Sequence, residues 1–320
     1  MDRPKPYAAG GISVGIHAEA ATPREVIEDL IEQARIADQA GYDGVSVSEH
    51  HGGFGGYVPS PLQVVGWVLS SMSRSWAATG PLLLSLRNPA LVVEEAAWLA
   101  ARFPGRVGLG VGPGFAPLDF AAVGIPIAER LPRFRAALET LTAALVGAGS
   151  AALAGDTAVA TLAPGEIPVV ATLGGPVGAA QAGRVGAGCM VDSFASVEKA
   201  SGLFERYSAA GGAGPRILCR RAWFGPPDPQ RMAVLASSYR SIGSTSAVGG
   251  PQTDFVATAD AEEMAQRLAA DVRAAGADAL LLRFHYPGLA QPAMLEQLDH
   301  VGRRVLPVVR RALRWGPPAP

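Results

Sequence analysis

The chain has little of the features that narrow a function quickly. It carries only two cysteines, Cys189 and Cys219, in 320 residues. Two thiols cannot build a disulfide framework, and these match no metal-ligand spacing. Each is expected to be a small buried apolar residue in a reducing compartment. The net charge is −1, from 27 basic and 28 acidic residues. That balance leaves no electrostatic footprint for nucleic acid or an anionic membrane surface. No apolar run approaches the roughly 20 residues that span a bilayer. The opening stretch Met1-Asp2-Arg3-Pro4-Lys5-Pro6 has no apolar signal core, so a cytoplasmic protein is expected. What is present is apolar material: 49% of residues are hydrophobic, with glycine and proline scattered among apolar runs rather than clustered. This is ordinary globular composition with ample material for a sizeable core.

The chain alternates strands and helices. Residues 12–16 form an apolar strand. Thr22 then caps a helix, with Pro23 in its first turn and Glu25 three residues after the cap, a capping box. Val26, Leu30, Ala34 and Ala37 recur at helical spacing, and Gly41 ends the helix. A strand follows at 44–48. The short links make this strand–helix–strand unit parallel. Further strands are expected at 80–86, 106–111, 167–172, 187–191, 216–224 and 279–284, nearly all followed by a helix, the last helix spanning 292–313. Residues 147–165 read as a short irregular insert, and 241–258, rich in serine, threonine, glycine and proline, as a long loop late in the chain. Eight strands with right-handed crossovers close into a (β/α)8 barrel, a single domain over 1–320. A doubly wound sheet would need a dinucleotide fingerprint near the N-terminus. The nearest match, Gly147-Ala148-Gly149-Ser150-Ala151-Ala152, follows a helix and not a strand.

In a barrel, chemistry sits at the C-terminal ends of the strands. Two of the five histidines stand together at one such end, in Glu49-His50-His51, ahead of the glycine-rich loop around Phe54 and the run Tyr57-Val58-Pro59-Ser60-Pro61. Imidazoles that titrate near neutral pH suit acid–base work there. Adjacent histidines rarely ligate one ion, and no aspartate-rich strand end supports them, so no metal is expected. At the later rim, Gly174-Gly175-Pro176 precedes a helix. Its free amides and helix dipole suit a phosphate, with Thr172 and Val177 beside it.

Together these motifs are similar to the bacterial-luciferase-like flavin-dependent oxidoreductases. The likeness rests on Glu49-His50-His51, Gly56-Tyr57-Val58-Pro59-Ser60-Pro61, Leu84-Ser85-Leu86-Arg87-Asn88-Pro89 and Glu94-Glu95-Ala96. It continues through Gly105-Arg106-Val107-Gly108-Leu109-Gly110-Val111-Gly112, Asp119-Phe120, Glu129-Arg130 and Ile167-Pro168-Val169, and ends in Gly276-Ala277-Asp278-Ala279-Leu280 and Pro287-Gly288. It implies a luciferase-like (β/α)8 fold, a flavin on the C-terminal rim, and a homodimer through the early helices. It places His50 as the acid/base beside the flavin, supported by Glu49 and His51. It also places Gly80-Pro81 where the family has a cis peptide under the flavin ring, so a cis bond is expected there. Gly112, Pro113, Thr172, Gly174, Gly175, Pro176 and Val177 would complete the cofactor site, and Phe54, Tyr57, Phe115 and His285 would face the substrate. Pro113 stands where some members have an arginine, and the serine and threonine of the luciferase phosphate site are replaced around Leu173 to Pro176.

The leading expectation is a two-component monooxygenase that uses reduced FMN and O2 on a small organic substrate. With no nicotinamide fingerprint in the chain, a separate reductase would supply the flavin, while Phe54, Phe115 and the 241–258 loop exclude water. The alternative is hydride transfer with the deazaflavin F420, whose anionic oligoglutamate tail needs basic residues at the rim. The sequence offers Arg184 and Arg283 there but no evident cluster. A non-catalytic flavin-binding paralogue is the third reading.

Overall fold

A computed structural model describes residues 3–226, 228–241 and 255–316. The first unit forms as its sequence signals dictate. β1 (Ile12–Ile16) leads into α1 (Pro23–Ala40), whose Thr22 side chain accepts from the Glu25 amide while Glu25 reaches back to the Thr22 amide. Gly41 closes the helix in the left-handed region at φ 99°, a conformation that costs glycine little. The chain then runs through β2 (Gly44–Val47), α2 (Pro61–Ser71), β3 (Trp76–Leu83), α3 (Pro89–Arg102), β4 (Val107–Gly112), α4 (Pro117–Ala122) and α5 (Arg130–Leu145). Two short helices, α6 (Ala151–Ala154) and α7 (Thr157–Thr161), precede β5 (Val169–Leu173) and α8 (Pro176–Arg184). The rest is β6 (Gly188–Val191), α9 (Val197–Ala209), β7 (Arg216–Phe224), α10 (Pro229–Ser241), β8 (Val256–Thr258), α11 (Ala261–Ala275), β9 (Ala279–Arg283), α12 (Gln291–His300) and α13 (Leu306–Leu313).

β1 to β7 pair in sequence order and in parallel, β7 pairs β9, and β9 returns to β1. The ring of eight is closed, so the (β/α)8 barrel is the fold. β8 lies outside it, paired to the end of β7 at Ala222 to Phe224. One apolar layer fills the space between ring and helices. A smaller one, including Tyr7, Trp76, Val170, Met190, Ile217 and Leu281, fills the interior. Tyr7 stoppers the N-terminal end. Its ring lies 4.9 Å from Trp76 and its hydroxyl donates to the Thr79 carbonyl at 2.7 Å.

That plug needs a glycine opposite it. A Cβ on Gly44 would overlap the indole of Trp76, which is 1% exposed. Gly44→Ala is therefore expected to cost about 3 kcal/mol, the upper end for overpacking a core. A melting temperature within a degree of the unaltered protein would show that the interior is looser than the packing requires.

Several boundaries differ from the sequence expectation. The third strand starts at Trp76, not at residue 80, because pairing with β2 holds the helix-prone Ala77 and Ala78 extended. It stops at Leu83, and Leu84–Leu86 is a 3-10 turn. The 147–165 insert is not irregular: Ser150 and Asp156 cap α6 and α7, and Asp156 also accepts from the Trp98 indole of α3 at 3.1 Å. α4 was not anticipated, being too short to show helical periodicity. The expected 241–258 loop contains β8, and its residues 242–254 lie outside the described residues. The terminal 292–313 helix is broken by a π turn over Val301–Val305, just before Pro307, which has no amide hydrogen for the regular ladder.

Candidate active site

The end of β2 is pinned before it reaches solvent. The Glu49 amide donates to the Pro81 carbonyl at 3.0 Å, and the His50 amide to the Val58 carbonyl at 3.3 Å. The Glu49 side chain is fully buried, and each oxygen is taken. Oε1 accepts from Arg87 Nη2 and lies 2.7 Å from His51 Nε2, and Oε2 accepts from the Leu83 amide at 2.7 Å. Glu49 therefore clamps β2 to the end of β3. His51 points to this clamp and does not line the cavity.

His50 faces the other way. Its Nδ1 lies 2.8 Å from Asp119 Oδ2, and Asp119 Oδ1 accepts the His51 amide at 2.7 Å. Asp119 is completely buried on α4. A carboxylate that takes two N–H groups acts as acceptor only, so the proton of neutral His50 sits on Nδ1. Nε2 is then the nitrogen without a hydrogen, on a residue that lines the cavity. In the sequence Asp119 is only one member of the Asp119-Phe120 pair. Its role was not legible, because only barrel closure brings residues 50 and 119 together.

Beneath His50, the Gly80–Pro81 bond is cis, as the resemblance implies, and the β3–β4 register shifts between Thr79 and Leu82. The Gly80 carbonyl accepts from Ser48 Oγ at 2.5 Å and from Arg283 at 2.8 Å. Above lies a cavity of about 600 Å³ that runs from Ser48, Glu49, His50 and Tyr57 past Pro81, Pro113 and Phe115 to Thr172 and the turn at Gly174–Gly178. Of the residues expected at the cofactor, Pro176 and Val177 line it, whereas Gly80 and Gly112 do not. A Cβ on Gly112 would press on Thr172 and Pro81. At Gly174, Gly175 and Gly178 a Cβ would meet nothing within 4 Å. Gly175 begins α8 without a side-chain cap, so the first amides of the helix remain open to an anion.

Three rings enclose His50: Phe54 at 4.6 Å, Tyr57 at 4.6 Å and Phe115 at 5.5 Å between centroids. His285 does not line the cavity. It stands behind Tyr57, with Nε2 3.2 Å from the Tyr57 hydroxyl and its ring stacked 4.1 Å from His17. Burial first, then the neighbouring His17, Arg221 and Arg283, hold His285 well below the usual imidazole range. It is neutral at physiological pH, which suits a positioning group more than a proton carrier.

The rim also gathers charge that the sequence dispersed. Arg130 and Arg135 from α5, Lys199 from α9, Arg221 from β7 and Arg283 from β9 all line the cavity. Among the described residues, Arg130, Arg135 and Lys199 form no ion pair. The sequence suggested no basic cluster, because these positions are up to 153 residues apart; Arg184, named with Arg283, is not in the lining. A larger hollow of about 1010 Å³ opens at the opposite, N-terminal end, where Arg216 and Asp278 are paired with each other at 2.8 Å. It is far from His50. Among the described residues no three of His, Cys, Asp or Glu converge on a metal position, and no helix is long and apolar enough to cross a membrane.

A closed barrel with a cavity-lining histidine at the end of β2, a cis peptide bond at Gly80–Pro81 and an uncapped glycine turn after β5 narrows the class of protein. The chain belongs to the luciferase-like monooxygenase family, whose model matches residues 8–304. An F420-dependent glucose-6-phosphate dehydrogenase of Beutenbergia cavernae is 34% identical over 188 residues, 55% of this chain and 54% of that one. One from Rhodococcus erythropolis is 32% identical over 195 residues, 57% of this chain and 56% of that one. The chain thus spans about half the length of the curated relatives it matches. An F420-dependent secondary alcohol dehydrogenase, solved with an F420–acetone adduct, shares the fold with a TM-score of 0.75 and 19% identity, over 94% of this chain and 99% of its own. These relatives overturn the expectation of a reduced-FMN, O2-using monooxygenase fed by a reductase: those sharing a third of their residues over the matched stretch are named F420-dependent dehydrogenases. That expectation leaned on the apparent lack of basic residues at the rim, and folding supplies them.

Proposed function

We propose that this chain is an F420-dependent oxidoreductase. The observation that carries the reading is the open, glycine-built helix start at Gly174–Gly178 sharing a cavity with Arg130, Arg135 and Lys199. A phosphate followed by several carboxylates needs an anion turn and then unspent cations. When bound, F420 would supply the acceptor or donor for a hydride. The turn would hold its phosphate and the three cations its tail. His50 Nε2 would take or give the proton of the substrate oxygen, Asp119 would hold the imidazole in that tautomer, and Phe54, Tyr57 and Phe115 would keep water from the reacting atoms.

Titration by fluorescence with F420 and with FMN tests this directly. F420 is expected to bind more tightly than FMN. Reversing all three cations (R130E, R135E and K199E together) is expected to weaken F420 by about 10- to 100-fold, in line with about 0.2–1 kcal/mol for each exposed ion pair. It should also flatten the salt dependence. Tighter binding of FMN, or an unchanged F420 affinity in the triple variant, would refute the reading.

A further inference from the structure

The cavity is divided by chemistry. Its unspent cations Arg130, Arg135 and Lys199 stand on α5 and α9, and its other polar groups Gln181, Asp192 and Ser193 on α8 and just after β6, whereas His50 and Tyr57 follow β2. Beside His50 the lining rings are Tyr57 and Phe115, Phe54 packs against His50 and Tyr57 outside the lining, and Pro81 and Leu83 continue the apolar wall. The polar atoms within that wall are engaged already. Both Glu49 oxygens are held by Arg87, His51 and the Leu83 amide. Ser48 Oγ donates to the Gly80 carbonyl and accepts from Arg283. The Tyr57 hydroxyl lies against His285 Nε2. A polyhydroxylated sugar placed here would find His50 Nε2 for one hydroxyl and rings for the others. Each remaining hydroxyl would lose its water without gaining a partner, which is how a site rejects a polar substrate.

We propose, on the basis of the F420 reading, that the substrate is an alcohol bearing aryl or alkyl groups and no phosphate, or the matching carbonyl compound in the reverse direction. In the forward direction bound F420 would supply the acceptor for the hydride that leaves the carbinol carbon with both electrons of its C–H bond. The O–H bond breaks, its proton passes to His50 Nε2, and the C–O bond becomes C=O. Tyr57 and Phe115 set the specificity by removing the apolar substituent from water. The cations of α5 and α9 take no part in holding the substrate.

The test uses the F420-loaded protein with 1-phenylethanol, cyclohexanol and glucose 6-phosphate, following loss of F420 absorbance. Binding of acetophenone is measured separately by calorimetry. The expected result is a kcat/KM at least about 100-fold higher for the two apolar alcohols than for the sugar phosphate. Acetophenone should bind, and Phe115→Ser should weaken it by about tenfold, the loss expected from exposing part of one aromatic contact, while the F420 affinity stays within threefold. Turnover of the apolar alcohols no faster than that of glucose 6-phosphate, absence of turnover with all three included, overturns the substrate class while F420 binding still stands. Failure of F420 to bind at all overturns the cofactor reading instead, and calorimetry with acetophenone on the cofactor-free protein then decides the apolar pocket alone.

Discussion

Asp119→Asn is expected to lower kcat for F420-linked turnover by about 10²- to 10⁴-fold, the range set by general acid–base groups and by loss of the correct imidazole tautomer. The two partners of Asp119 are both N–H donors, His50 Nδ1 at 2.8 Å and the His51 amide at 2.7 Å. Asparagine offers one oxygen and one NH2. If its oxygen keeps the His51 amide, the NH2 faces His50 Nδ1, which must give up its proton and place it on Nε2. The base then points its hydrogen at the substrate. If the amide flips, two donors oppose each other in a site that is 0% exposed at Asp119. Either way the chemical step suffers, whereas the turn at Gly174–Gly178, proposed to hold the cofactor, lies on another part of the barrel. The result should be a fall in kcat with KM and F420 affinity changed by no more than a few fold. A merely structural residue would instead move all three together. An Asp119→Asn enzyme with an unchanged kcat would remove the His50–Asp119 pair from the mechanism.

Glu49→Leu is expected to remove about 3–5 kcal/mol of stability, the cost of breaking a buried pair from one side. The carboxylate, at 0% side-chain exposure, is the partner of the Arg87 guanidinium, which is 23% exposed. Arg87 would keep only the Pro59 carbonyl, at 2.9 Å. The Leu83 amide, which gives its hydrogen to Glu49, would be buried without an acceptor. Urea unfolding should show a lower midpoint with an unchanged slope. Glu49→Gln keeps the volume and one acceptor oxygen, and should lose less, about 1–3 kcal/mol. A Leu variant within 1 kcal/mol of the parent would mean that the clamp is dispensable for the fold. In that event His51, which shares the Glu49 Oε1 atom, would have no structural role through it.

Thr22 and Glu25 cap α1 as their spacing dictates, because a capping box uses only neighbours three residues apart. The eight barrel strands were legible for the same kind of reason: strand and helix periodicity is local, and repeated parallel crossovers leave few ways to close. His50 stood out because a polar pair at a strand end is also a local pattern. α4 and β8 were not visible, since six and three residues are too short to show a period.

By itself, then, the sequence determined the barrel, its rim and the histidine that faces the cavity, through hydrophobic periodicity, caps and turn residues that act over a few positions. Only the tertiary structure decided the rest. It seated Asp119 against His50 across a separation of 69 residues. It turned His51 away from the cavity to Glu49, tied Glu49 into a clamp, and set His285 behind Tyr57 against His17. It drew Arg130, Arg135 and Lys199 to one side of the cavity. The physical reason is common to all of these. A hydrogen bond or an unspent charge depends on which atoms lie within about 3 Å, and for residues on different strand–helix units that distance is fixed only when the ring closes.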